Sequence, residues 1–284
     1  MQIAILGTGS IGSAFAFHFA TAGHDVTVIA RGNRLEQLER DGAIVLVTGE
    51  RATVHAKGEL DATTPWDLVL VTVRAAQVDA VMPALSASSA KTIMFMFNTF
   101  DPLDRLRDAV GTERFAFGFP AIIATLPGGK LKHEIVTRGQ ITTVSDAAWA
   151  KVFTDIGIRT VVHDDMHSWL RSHAAFIVPL MGAGAYVARR RGKGITWSEA
   201  RACARAMAEG YRLVRDLGNA LTPANIVTLS RLPTFVVTFV IWVLSRSQMM
   251  RDMGAAGPGE ARTLIDPMIA AAPDKTRALA AIRP

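Results

Sequence analysis

The chain has 284 residues, half of them hydrophobic and 20% charged, with a formal net charge of +6 and a pI near 9.9. This length suits one large domain or two ordinary ones around a sizeable core, and the composition is neither membrane-like nor disordered. The positive balance is spread out, with no block of like charges and no recognition motif, so nucleic acid is not an expected partner. Cys203 is the only cysteine, which excludes an intrachain disulfide.

Residues 2–6 read as a buried strand, followed by a glycine turn and an apolar helix over Ser10–Ala22 that Gly23 closes. Asp25–Ala30 is a second, β-branched strand. A short helix over 32–41 should turn Leu35 and Leu38 inward, and Ala43–Val47 and Ala52–His55 read as strands around Thr48-Gly49-Glu50. Asp67–Val73 is a continuous apolar run, the mark of a strand covered on both faces. A helix over 75–85, a strand over 91–97 and a helix over 101–110 continue an alternation that predicts a parallel, doubly wound sheet. Strands are expected within Phe115–Leu126, Leu131–Val136 and Gln140–Val144, then a helix over Asp146–Asp155 and a strand at Arg159–Val162. From Asp165 the chain reads as helices at 166–191, 197–217, 222–230, 233–252, 260–271 and 274–281. The expected domains are therefore 1–164, an α/β Rossmann-type domain, and 165–284, an all-helical domain for substrate binding or dimerisation.

The N-terminus lacks a basic leader region and glycines interrupt it at once, so it does not read as a signal peptide. The run Phe235–Leu244 falls short of the ~20 residues a spanning helix needs. It reads as a buried core helix, or else as a dimer face that leaves a homodimer open. A soluble, cytoplasmic protein without a membrane partner is the expectation. Cys203 lies in a helical Ala-rich pattern where a small buried residue is the plain role. His163-Asp164-Asp165-Met166-His167 offers zinc-type ligands, but it stands where aspartate caps a helix, and no metal is expected.

Gly7-Thr8-Gly9-Ser10-Ile11-Gly12 is GxGxxG between a strand and a helix. In that setting Gly7 permits the tight turn, Gly9 the approach of a pyrophosphate, and Gly12 the packing of helix on strand. The helix N-terminus adds free N–H groups and partial positive charge. An NAD-binding chain usually ends its second strand in a carboxylate for the ribose 2′-OH. Here that place holds Arg31, and no carboxylate follows before Glu36. An arginine fork pairs with a 2′-phosphate, so NADPH is the expected cofactor. Arg34 is either a second contact to that phosphate or part of a solvated helix face.

With these residues the chain resembles the ketopantoate reductase (2-dehydropantoate 2-reductase) family over nearly its whole length. The resemblance is carried by the glycine motif, by Gly23-His24-Asp25-Val26 leading to Ile29-Ala30-Arg31, and by Val71 to Gln77, similar to a strand ending in Lys-x-x-Gln. Phe97-Asn98-Thr99 resembles a Gln-Asn-Gly motif, and Gln248-Met249-Met250-Arg251-Asp252 a Ser-Met-x-Gln-Asp motif. The resemblance implies a Rossmann domain and a helical domain with the active site in the cleft between them. It implies that Arg74, in place of a lysine, lies near the cofactor, that Asn98 lies between cofactor and substrate, and that Glu260 is an active-site glutamate.

The departures are as informative. The family's first C-terminal helix carries a catalytic lysine followed by two asparagines at helical spacing. Here the helix reads Trp169-Leu170-Arg171-Ser172-His173, and no lysine occurs between Lys151 and Lys193. Arg171 stands where one alignment puts the lysine and is able to stabilise an oxyanion. His173 is a candidate acid, though it lies roughly 200° around the helix from Arg171. The leading expectation is an NADPH-dependent oxidoreductase reducing a small carbonyl substrate such as a 2-oxo acid. A non-catalytic NADP(H)-binding sensor or partner-binding protein is the alternative, and reduction of ketopantoate itself through a replacement acid is a third reading.

Overall fold

The computed structural model describes residues 1–191, 193–255 and 259–284. The chain divides into two compact units, Met1–Phe97 with Leu103–Met166, and Asn98–Pro102 with His167–Pro284.

The first unit is built on an eight-stranded sheet. β1 (Gln2–Leu6) leads into α1 (Ser10–Thr21), β2 (Asp25–Ile29) and α2 (Gly32–Asp41). A small hairpin of β3 (Ala43–Val45) and β4 (Arg51–Thr53) precedes β5 (His55–Lys57) and β6 (Leu68–Val71). Next come α3 (Met82–Ala87), β7 (Ile93–Met96), α4 (Asp104–Val110) and β8 (Phe115–Phe119). A second hairpin, β9 (Ile122–Thr125) with β10 (Lys132–Ile135), is followed by β11 (Thr142–Val144), α5 (Ala147–Asp155) and β12 (Thr160–Val162).

The sheet order is β12-β11-β8-β7-β6-β1-β2-β5, parallel throughout except between β11 and β8. The section β5-β2-β1-β6-β7-β8 has the winding of a dinucleotide-binding sheet, and its direction of growth reverses between β1 and β6. Every residue of β6 and β7 is buried, which is why these strands read as unbroken apolar runs. Phe15 and Phe19 of α1 pack on Phe153 of α5 with ring centroids 5.4 and 5.7 Å apart. Asp146 caps α5 by accepting from the Trp149 N–H.

The second unit is helical: α6 (Met166–Arg189), α7 (Trp197–Asp216), α8 (Ala224–Ser230), α9 (Thr234–Leu244), α10 (Gln248–Ala255), α11 (Gly259–Ala271) and α12 (Arg277–Ala281). The Thr196–Glu199 capping box starts α7. Close approach of α6 and α7 depends on small residues, since a Cβ on Gly210 would stand 3.1 Å from that of Ala175. This parallel-sheet α/β unit and helical C-terminal part are the architecture expected from the sequence.

Several elements differ from expectation for local reasons. The helix expected over 75–85 is a 3-10 turn, Ala75–Gln77, and then α3. Pro83 has no N–H to give to a running helix and is tolerated only in a first turn. Pro120 separates β8 from β9 in the same way, and the Ala121 N–H turns to the Thr142 hydroxyl. The helix expected over 233–252 breaks after Leu244. There the Ser245 hydroxyl donates to the Trp242 carbonyl and accepts from the Ile195 N–H, displacing the helical ladder.

The largest correction concerns α9, which is not a buried core helix. Val237, Thr238 and Ile241 face the core, while Phe235 is 69% and Phe239 54% exposed. Among the described residues no single helix is long and apolar enough to cross a membrane.

Candidate active site

The glycine turn sits at the reversal point of the sheet, where β1 ends. Gly7 has φ +101°, and a Cβ there would lie 2.7 Å from the Val73 nitrogen. A Cβ on Gly12 would lie 2.5 Å from the Gly7 carbonyl oxygen and 2.6 Å from Thr72 Oγ1. Above Gly9 there is nothing within 4 Å. Two glycines therefore let chain segments touch, and the third leaves a bare approach to the backbone. Thr72 Oγ1 donates to the Gly7 carbonyl at 2.9 Å, and Thr8 Oγ1 donates to the Ile29 carbonyl at 3.1 Å, which tie the turn to its neighbouring strands.

Gly9 is the N-cap of α1, no side chain caps that end, and no acid lies in its first turn. The first N–H groups, at Ser10, Ile11 and Gly12, are the orphan donors of a helix start. Open backbone at Gly9 together with an uncapped helix N-terminus fits a diphosphate.

Arg31 follows β2 and is the exposed N-cap of α2. Its guanidinium makes no hydrogen bond or ion pair with any described residue. Arg34 is different: it is half-buried and bonded to Thr8, Ser13, Gln37 and Gly129. It is neither a solvated residue nor a free phosphate ligand. Arg74 is exposed and sits over the turn it starts, with its N–H and Nε both directed to Gln77 Oε1.

Asn98 opens the short segment Asn98–Pro102 that belongs to the helical unit. Its Oδ1 is buried and has no hydrogen-bond partner among the described residues. A buried acceptor without a donor is costly and unusual in a native protein.

Within the helical unit Arg171 is only 8% exposed. Its Nε donates to the Phe100 carbonyl at 3.1 Å and its Nη1 to Asn219 Oδ1 at 2.6 Å, while the guanidinium lies 5.1 Å over the Phe100 ring. Nη2 is engaged by no described residue. Burial lowers the Arg171 pKa and nearby Asp101 opposes that shift, but an arginine stays charged throughout the working range. Asn219 Nδ2 donates to Ser168 Oγ, so the asparagine is itself oriented. Ser172 takes the Thr222 N–H and gives its own proton to the Ala220 carbonyl, fastening α6 to the loop after α7.

His173 is buried on another face of α6, with its ring stacked nearly parallel on Trp169 at 5.3 Å. Burial pushes its pKa down to about 3, so it is neutral near pH 7. This environment tells against the acid role expected for it, because a donor must hold its proton at the working pH. Glu260 is exposed in the first turn of α11. Cys203 is buried and its thiol is pushed up to about 12, which leaves no thiolate for nucleophilic work. His163 Nδ1 accepts the Asp165 N–H, a local bond at the start of α6.

Sequence reasoning missed Asn219, Ser168, Phe100 and Thr72. Gly218-Asn219 reads as an ordinary helix end, and nothing in the linear order joins position 219 to 171. The one available signal was the unbalanced charge of Arg171 on an apolar helix, which requires a polar partner somewhere.

The family model described as ketopantoate reductase PanE/ApbA matches residues 3–147. The chain belongs to that family. This oxidoreductase family includes the 2-dehydropantoate 2-reductase of Vibrio cholerae, 32% identical over 135 residues, which are 46% of this chain and 41% of that protein. The Bacillus subtilis enzyme of the same name is 30% identical over 111 residues, 38% of this chain and 36% of its own. The chain thus matches less than half the length of these curated relatives.

Solved structures extend the likeness in fold over the whole chain. The PanE/ApbA family ketopantoate reductase of Ralstonia eutropha JMP134 superimposes with a TM-score of 0.76 at 19% identity, covering 100% of this chain and 97% of that one. A D-mandelate dehydrogenase, solved with NADH and anilino(oxo)acetate, gives 0.71 at 15% identity, covering 100% and 98%.

Proposed function

We propose that this chain is an NADPH-dependent reductase of a small carbonyl compound of the 2-oxo acid class. The observation that carries the reading is the open backbone at Gly9 beside an unpaired Arg31. Backbone N–H groups at the start of α1 would take the diphosphate, and the Arg31 fork the 2′-phosphate. Arg74 is the further cation assigned to the cofactor, and Asn98 offers its unpartnered Oδ1 to a bound donor. NADPH, when bound, supplies the hydride. The chain's own contribution to the chemistry is Arg171, a fixed, poorly solvated positive charge that stabilises the oxyanion as it develops. Arginine does not release its proton, and His173 is neutral, so the alkoxide takes its proton from water. Glu260, the glutamate that the family resemblance assigns to the active site, is the candidate for tuning a neighbouring cation. The D-mandelate dehydrogenase neighbour, solved with a 2-oxo acid derivative, supports the substrate class.

The test is fluorescence titration with NADPH and NADH, followed by NADPH oxidation over a panel of 2-oxo acids including ketopantoate. Tight NADPH binding with turnover is the expected result. Binding without turnover on any substrate would favour a sensor, a reading that the absent lysine and the neutral His173 support. Binding of neither nucleotide would refute both.

We also infer that the outer face of α9 meets a second copy of the chain. Phe235, Phe239, Val240, Val243, Leu232 and Trp197 are all exposed there, and α9 carries no charge. Together they expose on the order of 500 Å², against ~800 Å² per partner in a standard interface. A dimeric ketopantoate reductase is known from Staphylococcus aureus. Light scattering should report a dimer that Phe235→Ser with Phe239→Ser dissociates, and a monomeric parent chain would overturn the inference.

A further inference from the structure

Within the glycine turn the Gly9 N–H donates to the Gly7 carbonyl at 2.7 Å, and no backbone group of the turn bonds the Thr8 carbonyl. Gly7 and Gly9 flank the Thr8 peptide, and glycine adopts positive and negative φ with similar ease. Rotation of the Thr8–Gly9 peptide would bring the Thr8 carbonyl around to the side a phosphate must occupy. An oxygen dipole aimed at a diphosphate repels it, so binding needs that carbonyl held away.

One side chain bonds that carbonyl directly and adds to the turn's own Gly9-to-Gly7 hydrogen bond. Arg34, in the first turn of α2, donates from Nε to the Thr8 carbonyl at 3.2 Å and from Nη2 to Ser13 Oγ at 2.8 Å. Its Nη1 donates to the Gly129 carbonyl at 2.9 Å and to Gln37 Oε1 at 2.8 Å. The guanidinium thus joins the middle of the glycine turn, the first turns of α1 and α2, and the connection between β9 and β10. Gly129 has φ +80°, and the Gln37 amide fills the space where its Cβ would be, so that connection is shaped to lie against α2. Each contact stands 3 to 95 residues apart in sequence. Ser13 is fully buried, which keeps this end of the network out of water.

We propose that Arg34 is the positioning residue of the diphosphate site: it fixes the Thr8 carbonyl away from the ligand and makes no contact with the 2′-phosphate. The two arginines after β2 then divide the work. Arg31 selects NADPH over NADH, and Arg34 preorganises the backbone on which either diphosphate rests. The inference rests on the cofactor reading above and adds to it a role in both nucleotides' affinity without a role in selecting between them.

The experiment compares the full-length chain with Arg34→Met, Arg34→Lys and Arg31→Met. Three ligands are titrated: NADPH, NADH and adenosine 2′-monophosphate, which has the 2′-phosphate but no diphosphate. Arg34→Met should weaken NADPH and NADH alike, by about tenfold, leaving their ratio unchanged. Its affinity for adenosine 2′-monophosphate should stay at the parent value, which a general loss of structure would not allow. Arg31→Met should show the opposite pattern, weakening NADPH and adenosine 2′-monophosphate and sparing NADH. Should Arg34→Met fail to fold, Arg34→Lys carries the test, because it keeps the charge but loses the multiple bonds and should shift both dinucleotides in the same direction. Selective loss of NADPH in an Arg34 variant overturns the proposal, as does parental affinity for both dinucleotides. If the parent chain binds neither dinucleotide, the cofactor reading fails first and takes this inference with it.

Discussion

Gly9 and Gly12 stand three residues apart in one motif, yet alanine should do opposite things at the two places. At Gly12 the new methyl would meet the Gly7 carbonyl oxygen at 2.5 Å and Thr72 Oγ1 at 2.6 Å, well inside the 3.4 Å at which ordinary contact begins. Those two oxygens are hydrogen-bonded to each other at 2.9 Å, so neither retreats alone, and α1 must move off the sheet. With neither oxygen free to retreat, the overpacking cost lies at the upper end of ~1–3 kcal/mol, and alanine's better helix propensity returns ~1 kcal/mol. A net loss of about 2 kcal/mol at the upper end of that range corresponds to a fall of roughly 4–8 °C in Tm. At Gly9 the backbone has φ −76° and ψ −159°, which alanine adopts freely, and the methyl meets nothing within 4 Å. Gly9→Ala should therefore melt with the parent chain but lose at least about tenfold in NADPH affinity, because the methyl fills the approach to the diphosphate. Thermal melts with and without NADPH read both effects in one assay. A Gly12→Ala chain as stable as the parent, or a Gly9→Ala chain that NADPH stabilises as before, would refute the reasoning.

Arg171→Met removes the one charge assigned to the oxyanion and should lower kcat by about 10²–10³ with little change in NADPH affinity. Steady-state NADPH oxidation checks this, and an unchanged kcat would remove Arg171 from the chemistry. Asn219→Ala frees Arg171 Nη1 and should lower kcat in the same direction but less, about tenfold, whereas a purely structural role would move Tm and not kcat. His173 bears on pH. Its folded pKa of about 3 lies below the unfolded value of 6.5, so between these pH values the unfolded chain binds the extra proton. That contribution to stability is complete above the unfolded pKa and is lost as pH falls below it, at about 1.4 kcal/mol per pH unit. Burial depresses His18, His24 and His133 in the same sense. His173→Gln should therefore flatten, without abolishing, the fall in stability between pH 6.5 and pH 5 in denaturant titrations, and an unaltered slope would contradict its buried, neutral state.

The parts of this protein that the sequence determines by itself are those governed by short-range rules. Apolar runs such as Leu68–Val71 mark strands covered on both faces, because a strand's environment is written in consecutive residues. Gly7, Gly9 and Gly12 were legible because each answers a local need, a positive φ or a missing Cβ, and Arg31 because its place is set by the end of the strand it follows. Local chemistry also explains the misread boundaries, since Pro83, Pro120 and the Ser245 hydroxyl end elements that the apolar pattern would continue.

Tertiary structure alone decided which polar groups meet. The sequence leaves Arg34 open between a phosphate contact and a solvated helix face, and only the fold brings Thr8, Ser13 and Gly129 around it while Arg31 stays free of described partners. Arg171 and Asn219 are 48 residues apart, and the segment Asn98–Pro102 leaves its own strand's unit to pack with the helices that hold them. The exposure of Phe235 and Phe239 has the same origin. An apolar helix declares that it is to be covered, but what covers it depends on surfaces that form only when distant segments pack.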